Sequence, residues 1–82
     1  MADDVPVLLP RLGASMEEAI LVEWLRAEGD VVAADEPICV IETDKVDAEV
    51  VAPVAGVLGP LTAEPRTTIA VGSELTRIRR AG

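Results

Sequence analysis

The chain has 82 residues, half of them hydrophobic, and a formal net charge of -8. This length allows one small domain with a thin core and is too short for a catalytic cleft between domains, so an enzyme that acts alone is not expected. The excess of acidic residues argues against binding to nucleic acid or an anionic membrane surface, because phosphates would be repelled. The partners are therefore expected to be proteins.

The cysteine and histidine content indicates a reducing compartment. Cys39 is the single cysteine, so no internal disulfide can form, and without histidine no His-containing metal site is available. The opening MADDVPVLLP carries two acids and no basic residue, which is unlike a signal or transit peptide. No apolar run reaches membrane-spanning length. These features predict a cytoplasmic protein with no metal site and no membrane partner.

The first half of the chain reads as strands separated by turns. VPVLLPRLG predicts a strand that ends at Gly13, and Pro6 and Pro10 favour a position at the sheet edge. A polar loop, ASMEEA, precedes a strand in AILVEWL. RAEGDVV then supplies a turn at Gly29 and Asp30.

The second half continues the pattern. PICVIET predicts a strand, Asp44-Lys45 a turn, and VDAEVVAP the returning strand of a hairpin. A short strand interrupted by glycine and proline follows in AGVLGPLTAEPRTT, and IAVGSELTRIR predicts two further extended pieces. Short strands with turns about every eight to twelve residues predict a β-sandwich or flattened barrel. Lys45 is expected at the projecting hairpin tip, because its charge prefers solvent.

An internal repeat supports this fold. A shift of 37 residues superposes apolar positions: Ile20-Leu21 on Val57-Leu58, Trp24 on Leu61, Val32 on Ile69, Ile38 on Leu75, and Ile41 on Ile78. Two similar halves, each unable to bury its apolar face alone, are expected to close over one another around a shared core. The same shift places Arg66 at the position of Gly29, and Gly72 at the position of Asp35, so we expect the turn chemistry not to be duplicated.

The stretch IETDKVDAEV places the only lysine of the chain among acidic residues, namely Glu42, Asp44, Asp47 and Glu49. On composition alone, Lys45 is an ordinary solvated turn residue and the acids form a solvated face. Asp44 is expected to shape the turn, because its side chain can accept hydrogen bonds from nearby amides. The paired carboxylates raise the possibility of acid–base catalysis, which we reject because no predicted cleft or conventional nucleophile accompanies them.

The same stretch resembles a known family. ETDKVDAEV followed by APVAGVL is similar to the attachment signature of the lipoyl domains in 2-oxo acid dehydrogenase complexes, within the biotinyl/lipoyl-attachment family. The similarity extends through LPRLGASMEEAILVEWLRAEGDVV, DEPICVIETDK and VGSELTRI, from about Leu8 to Ile78. It implies one lipoyl-type domain over residues 1–82, with a core of about 5–79. The implied fold is an all-β flattened barrel of two four-stranded antiparallel sheets with quasi-twofold symmetry and the lysine at a hairpin tip.

The resemblance also implies a function, a lipoyl carrier with lipoate in amide linkage on Lys45. Lipoate ligase or a lipoyl transferase would attach the group. A thiamine-dependent 2-oxo acid dehydrogenase would load it by reductive acylation, an acyltransferase catalytic domain would pass the acyl group to coenzyme A, and dihydrolipoyl dehydrogenase would reoxidise it. The domain itself would be a non-catalytic part or partner of a dihydrolipoyl acyltransferase. The implied recognition surface comprises Asp44, Val46, Asp47, Ser15, Met16 and Glu17.

Alternatives stay open within and beyond the family. Biotinyl carriers usually have methionine on both sides of the lysine, whereas Asp44 and Val46 flank Lys45, which favours lipoate. A biotin carboxyl-carrier domain and an unmodified protein-interaction module are the alternatives. Family members often have glycine where this chain has Asp35 and Arg66. The segment DEP resembles 2-oxoglutarate and branched-chain systems and SMEEAILVEWL resembles pyruvate or acetoin systems, so the oxo acid is open.

Overall fold

The structure, a computed structural model, describes residues 4–80 and consists of short strands joined by turns. The strands are β1 (Asp4–Leu8), β2 (Glu18–Trp24), β3 (Val31–Val32), β4 (Pro37–Glu42), β5 (Asp47–Val51), β6 (Gly56–Leu58), β7 (Thr68–Ala70) and β8 (Glu74–Arg80). Nothing in this range forms a helix of the length and apolarity that crossing a bilayer requires. The ends of the predicted domain, residues 1–3 and 81–82, lie outside the described residues.

The strands form two four-stranded antiparallel sheets, which confirms the predicted all-β architecture. Sheet A has the order β1-β8-β6-β3 and sheet B the order β5-β4-β2-β7. β1 lies at an edge of sheet A, as Pro6 predicted, because a residue without an N–H is best tolerated where no further strand must be bonded. The two sheets pack as a flattened sandwich that measures 38 × 21 × 18 Å.

The two halves of the repeat are interleaved. Sheet A combines β1 and β3 of the first half with β6 and β8 of the second, and sheet B combines β2 and β4 with β5 and β7. Each half therefore contributes two strands to each sheet, whereas the sequence predicted halves that simply close over one another. The difference arises because the β4–β5 hairpin and the β1–β8 pair carry backbone hydrogen bonds across the boundary between the halves.

Burial repeats with the same shift of 37 residues. The fully buried pairs are Leu21 with Leu58, Ile38 with Leu75, and Ile41 with Ile78; the half-buried pair is Trp24 with Leu61; the exposed pair is Ile20 with Val57, at 42% and 40% exposure. The repeat is therefore a property of the core as well as of the sequence. One pair departs from the symmetry, since Val32 is fully buried and Ile69 only partly so.

The turn chemistry is duplicated, so that prediction was wrong. Within residues 4–80, two residues in each half have left-handed backbone, namely Gly29 (φ 92°) and Asp35 (φ 68°) in the first and Arg66 (φ 67°) and Gly72 (φ 89°) in the second. The N–H of Gly29 donates to the Leu58 carbonyl at 2.7 Å, and 37 residues on the N–H of Arg66 donates to the Leu21 carbonyl at 2.6 Å. These equivalent bonds to the neighbouring strands fix the same conformation, whichever residue type occupies the position.

Two further boundaries differ from the prediction. The first strand ends at Leu8, not near Gly13, because its register with β8 shifts between Val7 and Leu8 and the chain then leaves the sheet. Val31–Val32, which follows the predicted turn at Gly29 and Asp30 and was not predicted as a strand, forms β3 and pairs with β6. A strand of two residues is too short for an alternating pattern to reveal.

Candidate functional site

The predicted lysine hairpin is present at the end of sheet B. β4 and β5 pair antiparallel as far as Glu42 opposite Asp47, which leaves Thr43 to Val46 as the tip. Lys45 is exposed there. Within residues 4–80 its ammonium group forms no ion pair. The amine is therefore accessible to a modifying enzyme and has no salt bridge to break.

Thr43, which the sequence analysis missed, holds this tip together. Its hydroxyl accepts hydrogen bonds from the N–H groups of Lys45 and Val46, at 3.3 and 3.1 Å, and donates to the Val46 carbonyl at 3.1 Å. The Thr43 N–H also donates to that carbonyl, at 2.8 Å. Asp44 was expected to shape the turn, but its carboxylate makes no hydrogen bond in the described part of the chain. The sequence did contain a signal for this role of Thr43, because a hydroxyl residue directly before a two-residue turn often hydrogen-bonds the backbone of that turn.

The backbone of the tip explains why Asp44 and Lys45 can occupy it. Among the non-glycine residues of the range 4–80, only Asp35 and Arg66 have positive φ, so both tip residues have ordinary backbone angles. The tip is therefore not the primed turn that tight hairpins usually use, which requires glycine-like positions. The Thr43 hydroxyl makes the bond to the Val46 N–H that a backbone carbonyl would otherwise make.

A shallow groove beside Lys45 brings most of the predicted site together. The loop between β1 and β2, the start of β2 and the hairpin tip line it, and among the lining residues are Ser15, Met16, Glu17, Asp44, Lys45 and Val46. Asp47 is exposed on β5, opposite Glu42, and lies outside this lining. Two segments separated along the chain therefore face one groove, because β2 is the neighbour of β4 in sheet B.

The loop that forms one side of the groove is held by its own contacts. The Arg11 guanidinium donates to the backbone carbonyls of Met16 and Ala14, at 2.6 and 3.3 Å. The Leu12 N–H points to the Met16 sulfur at 3.2 Å, and the half-buried Met16 side chain packs against the core. These contacts fix the loop, so Ser15 and Glu17 are presented in a defined place.

The electrostatics of the tip are dominated by carboxylates. Glu42 and Asp47 are exposed and directly opposite one another, an arrangement of like charges that weakens strand pairing. Neither acid, nor Asp44, forms an ion pair within residues 4–80. The exposed surface around Lys45 is thus anionic and suited to a basic protein partner.

Lys45 is the exposed amine that this arrangement offers for covalent attachment of a group. Cys39, the other candidate, is completely buried, and burial raises the pKa of its thiol to about 12. A thiol in that environment stays protonated and out of reach of solvent. Among the described residues no group of three His, Cys, Asp or Glu side chains is placed to hold a metal ion.

Comparison with known proteins assigns the family. A family model described as Biotin-requiring enzyme, which represents biotin- and lipoyl-attachment domains, matches residues 5–78. The chain belongs to the biotinyl/lipoyl-attachment family. The matched range contains both sheets, the groove and the Lys45 hairpin.

Two relatives of similar sequence carry lipoyl names. The acetyltransferase component of the Mycobacterium tuberculosis pyruvate dehydrogenase complex is 49% identical over 93% of this chain and 14% of the relative. The succinyltransferase component of the Rickettsia felis 2-oxoglutarate dehydrogenase complex is 40% identical over 90% of this chain and 18% of the relative. The chain therefore spans less than a fifth of these relatives.

A solved structure makes the same comparison in three dimensions. The solution structure of the lipoyl domain of the Azotobacter vinelandii 2-oxoglutarate dehydrogenase complex has a TM-score of 0.78 and 29% identity, over 95% of this chain and 99% of that one. Within the biotinyl/lipoyl family this chain is thus a lipoyl domain of the 2-oxo acid dehydrogenase type, which confirms the resemblance seen in the sequence.

Proposed function

We propose that this lipoyl domain carries lipoate in amide linkage on Lys45. The observation that carries the proposal is the free, exposed Lys45 amine at a tip held by Thr43, in a lipoyl domain. The residues present fit the group, since the Lys45 side chain is exposed and forms no ion pair within residues 4–80 that would have to break before the amide is made. When bound, lipoate supplies a dithiolane that accepts an acyl group reductively.

The chain's own residues position this attachment point. Thr43 fixes the backbone of Lys45 and Val46, so the lysine side chain starts from a defined place. Amide formation removes the Lys45 charge and leaves the acids at the tip uncompensated. We infer that the modified tip is recognised by basic surfaces on the enzymes it visits, because opposite potentials steer encounter.

The names of the relatives support a set of partners. We propose attachment by a lipoate ligase or lipoyl transferase, loading by a thiamine-dependent 2-oxo acid dehydrogenase, transfer through an acyltransferase catalytic domain, and reoxidation by dihydrolipoyl dehydrogenase. The domain acts in the cytoplasm as one unit with a core of about residues 5–79. It is a non-catalytic part or partner of a dihydrolipoyl acyltransferase, a substrate that its enzymes share.

The groove and the tip are the proposed recognition surface. Ser15, Met16 and Glu17 lie on the loop side, and Asp44 and Val46 on the hairpin side. Asp47 extends the acidic part of the surface along β5. The ligase has to contact the tip to reach Lys45, whereas a dehydrogenase can also read the loop.

Intact-mass analysis tests the attachment. After incubation with a lipoate ligase, lipoic acid and ATP, the wild-type chain should gain one lipoyl group, and the Lys45→Arg variant none. Because Lys45 is the only lysine, a gain by the variant would locate the modification elsewhere and defeat the proposal. Modification of the wild type by a biotin ligase, with none by the lipoate ligase, would make the domain a biotin carrier instead.

Loading by a partner is a separate test. The 49% identity to the pyruvate dehydrogenase relative makes a pyruvate-specific thiamine-dependent component the first to try, with a 2-oxoglutarate-specific one beside it. The lipoylated domain should gain one acetyl group from pyruvate in a reaction that saturates with domain concentration. A domain that is lipoylated but loaded by neither component would contradict the proposed carrier role in these two systems.

A further inference from the structure

The groove beside Lys45 has exposed apolar side chains in addition to the acids of the proposed recognition surface. Leu12, Ile20 and Val46 line it with 47%, 42% and 54% of their surfaces exposed, and Met16 lies among them. We propose that this groove is a resting site for the lipoyl arm of Lys45 in the same molecule. The inference rests on the proposed function, because it requires the arm to be attached.

The attachment point selects this occupant over others. Lys45 itself lines the groove, so an arm on its amine begins at the groove's edge. Binding is then intramolecular and takes place at a high effective concentration, so a weak affinity suffices. Lipoyllysine is a neutral amide with a hydrocarbon chain and a disulfide ring, which loses little by leaving water and gains by covering apolar surface.

The charges around the groove favour a neutral occupant. Glu17, Glu18, Glu42 and Asp44 line it together with the apolar residues. They repel an anionic peptide or lipid headgroup, whereas an uncharged arm meets no such penalty. The Met16 sulfur adds a polarisable surface of the kind that accommodates a sulfur-containing ring.

The groove is also formed before the arm arrives. Arg11 holds the loop by bonds to the Ala14 and Met16 carbonyls, and Thr43 holds the hairpin tip. Ile20 lies on β2, within the β-ladder that pairs it with Glu42 and Thr68. The groove therefore needs little further ordering when the arm enters. Most of the small free-energy gain from covering apolar surface is then retained as binding energy.

Quasi-twofold symmetry supplies a matched control site. Val57 is the equivalent of Ile20 in the other half, and the two are almost equally exposed, at 40% and 42%. Val57 lies in sheet A and lines no groove with the lysine. Ile20→Thr and Val57→Thr are therefore similar surface changes, and only the first lies next to the arm.

The first experiment locates the arm by methyl NMR. Intact mass must first show one lipoyl group on Lys45, so a failure of attachment is scored against the proposed function and not against the resting site. Spectra of the lipoylated chain are then compared with those of the chain acetylated at Lys45, which loses the same charge and gains no arm. We expect the methyl signals of Ile20, Val46 and Met16 to differ between the two forms, and those of Val57 to coincide. Identical spectra would overturn the proposal.

The second experiment measures protection of the dithiolane. Its reduction by tris(hydroxypropyl)phosphine, a neutral reductant, is followed in the lipoylated wild type, Ile20→Thr and Val57→Thr. Ile20→Thr should speed reduction by about twofold to fivefold, because part of the apolar contact is lost. Val57→Thr should match the wild type. Equal rates in all three proteins would refute a resting site, and if Ile20→Thr were then impaired in loading by the dehydrogenase, the groove would be a partner contact alone.

Discussion

The hydroxyl oxygen of Thr43 lies 3.1 Å from the backbone nitrogen of Val46 and 3.1 Å from its carbonyl oxygen. The Thr43 hydroxyl therefore accepts a hydrogen bond from Val46 and donates one to it, across the two tip residues Asp44 and Lys45, the second of which is the proposed attachment site. The orientation of Lys45 depends on this contact more than on the acids around it, because those acids make no bond to the tip within residues 4–80.

Replacement of Thr43 by valine keeps the shape of the side chain and removes the hydroxyl. We expect Thr43→Val to lower the free energy of unfolding by about 1 kcal/mol, the usual value of a partly exposed hydrogen bond. Amide exchange of Lys45 and Val46 should become faster, and lipoylation by the ligase slower. Thr43→Ser keeps the hydroxyl and should retain wild-type exchange at both amides. A valine variant that keeps slow exchange at Val46 would show that the backbone alone holds the tip.

Gly56 occupies a place in sheet A where no side chain fits. A Cβ built there would lie 2.1 Å from the Arg79 carbonyl oxygen and 2.8 Å from a methyl of Ile78. Gly56→Ala should therefore push β6 away from β8. We expect it to lower the free energy of unfolding, measured in urea, by at least about 2 kcal/mol. Gly13→Ala is the control, since a Cβ at that position meets nothing within 4 Å, and its stability should remain near wild type. Equal stability of the two variants would contradict the close approach.

Arg66 has a left-handed backbone, with φ 67°, at the position that matches Gly29. Replacement of Arg66 by glycine relieves backbone strain, which stabilises the folded protein by roughly 1 kcal/mol. It also gives the unfolded chain more conformational entropy, which destabilises the folded protein by roughly half of that amount. Arg66→Gly should therefore raise the free energy of unfolding by about 0.5 kcal/mol, whereas Gly29→Ala should lower it by about 1 kcal/mol. Both changes in the free energy of unfolding are measured by chemical denaturation, with the m-value unchanged between the variants. If Arg66→Gly were instead less stable than the wild type, the contacts of the Arg66 side chain would stabilise the protein by more than its left-handed backbone destabilises it.

Val32 and Ile69 are equivalent in the repeat and unequal in burial. Val32 is 1% exposed in the core, and Ile69 is only partly buried against it. Val32→Ala should cost about 1.5 to 3 kcal/mol because it leaves a cavity. Per methyl or methylene group removed, Ile69→Ala should cost less, since solvent and neighbours can fill part of the space. The comparison is made by urea unfolding, and an equal cost per removed carbon would indicate equal burial in solution.

Glu36 makes stability depend on acid pH. Its carboxylate accepts a hydrogen bond from the Ala33 N–H at 2.9 Å and pairs with Arg26. These contacts, the Ala33 bond foremost, hold the pKa of Glu36 below its ordinary value. A depressed folded-state pKa means that the stabilisation is complete above the unfolded pKa of about 4.3 and is lost as pH falls through the folded value.

Substitution at Glu36 and Arg26 tests this dependence. The difference in unfolding free energy between wild type and Glu36→Gln should be largest above about pH 5 and should shrink as the solution is acidified. Arg26→Gln should remove only part of that pH dependence, because the Ala33 bond remains. A difference that is constant from neutral to acid pH would show that Glu36 acts without a shifted pKa.

Much of the fold could be predicted because short apolar segments bounded by turn residues and a repeat both constrain it. The strands around Leu21, Ile41 and Ile78 follow from short segments rich in β-branched and other aliphatic residues, and all three residues are buried, as are their equivalents under the 37-residue shift. β3 escaped prediction because two residues carry no period. The interleaving of the halves escaped it as well, since a repeat predicts equivalent strands and does not say which of them hydrogen-bond.

The site was predictable in position and less so in the interactions that hold it. The place of Lys45 follows from the turn between two strands, but the Thr43 hydroxyl bonds depend on where β4 ends, which sequence patterns leave uncertain by a residue or two. Arg66 shows a similar limit. Its residue type argued against a left-handed turn, yet its hydrogen bond to the Leu21 carbonyl imposes one. Tertiary contacts decided both cases.

The interleaved strands also set an order of events in time. β4 comes from the first half of the chain and β5 from the second, and β4 must also pair with β2 before the loop and the hairpin face one groove. A nascent chain that has emerged only through Lys45 thus exposes the amine without its returning strand. An enzyme that reads the finished hairpin would leave such a chain unmodified, so the proposed modification of Lys45 would require that β4 has already paired with β5.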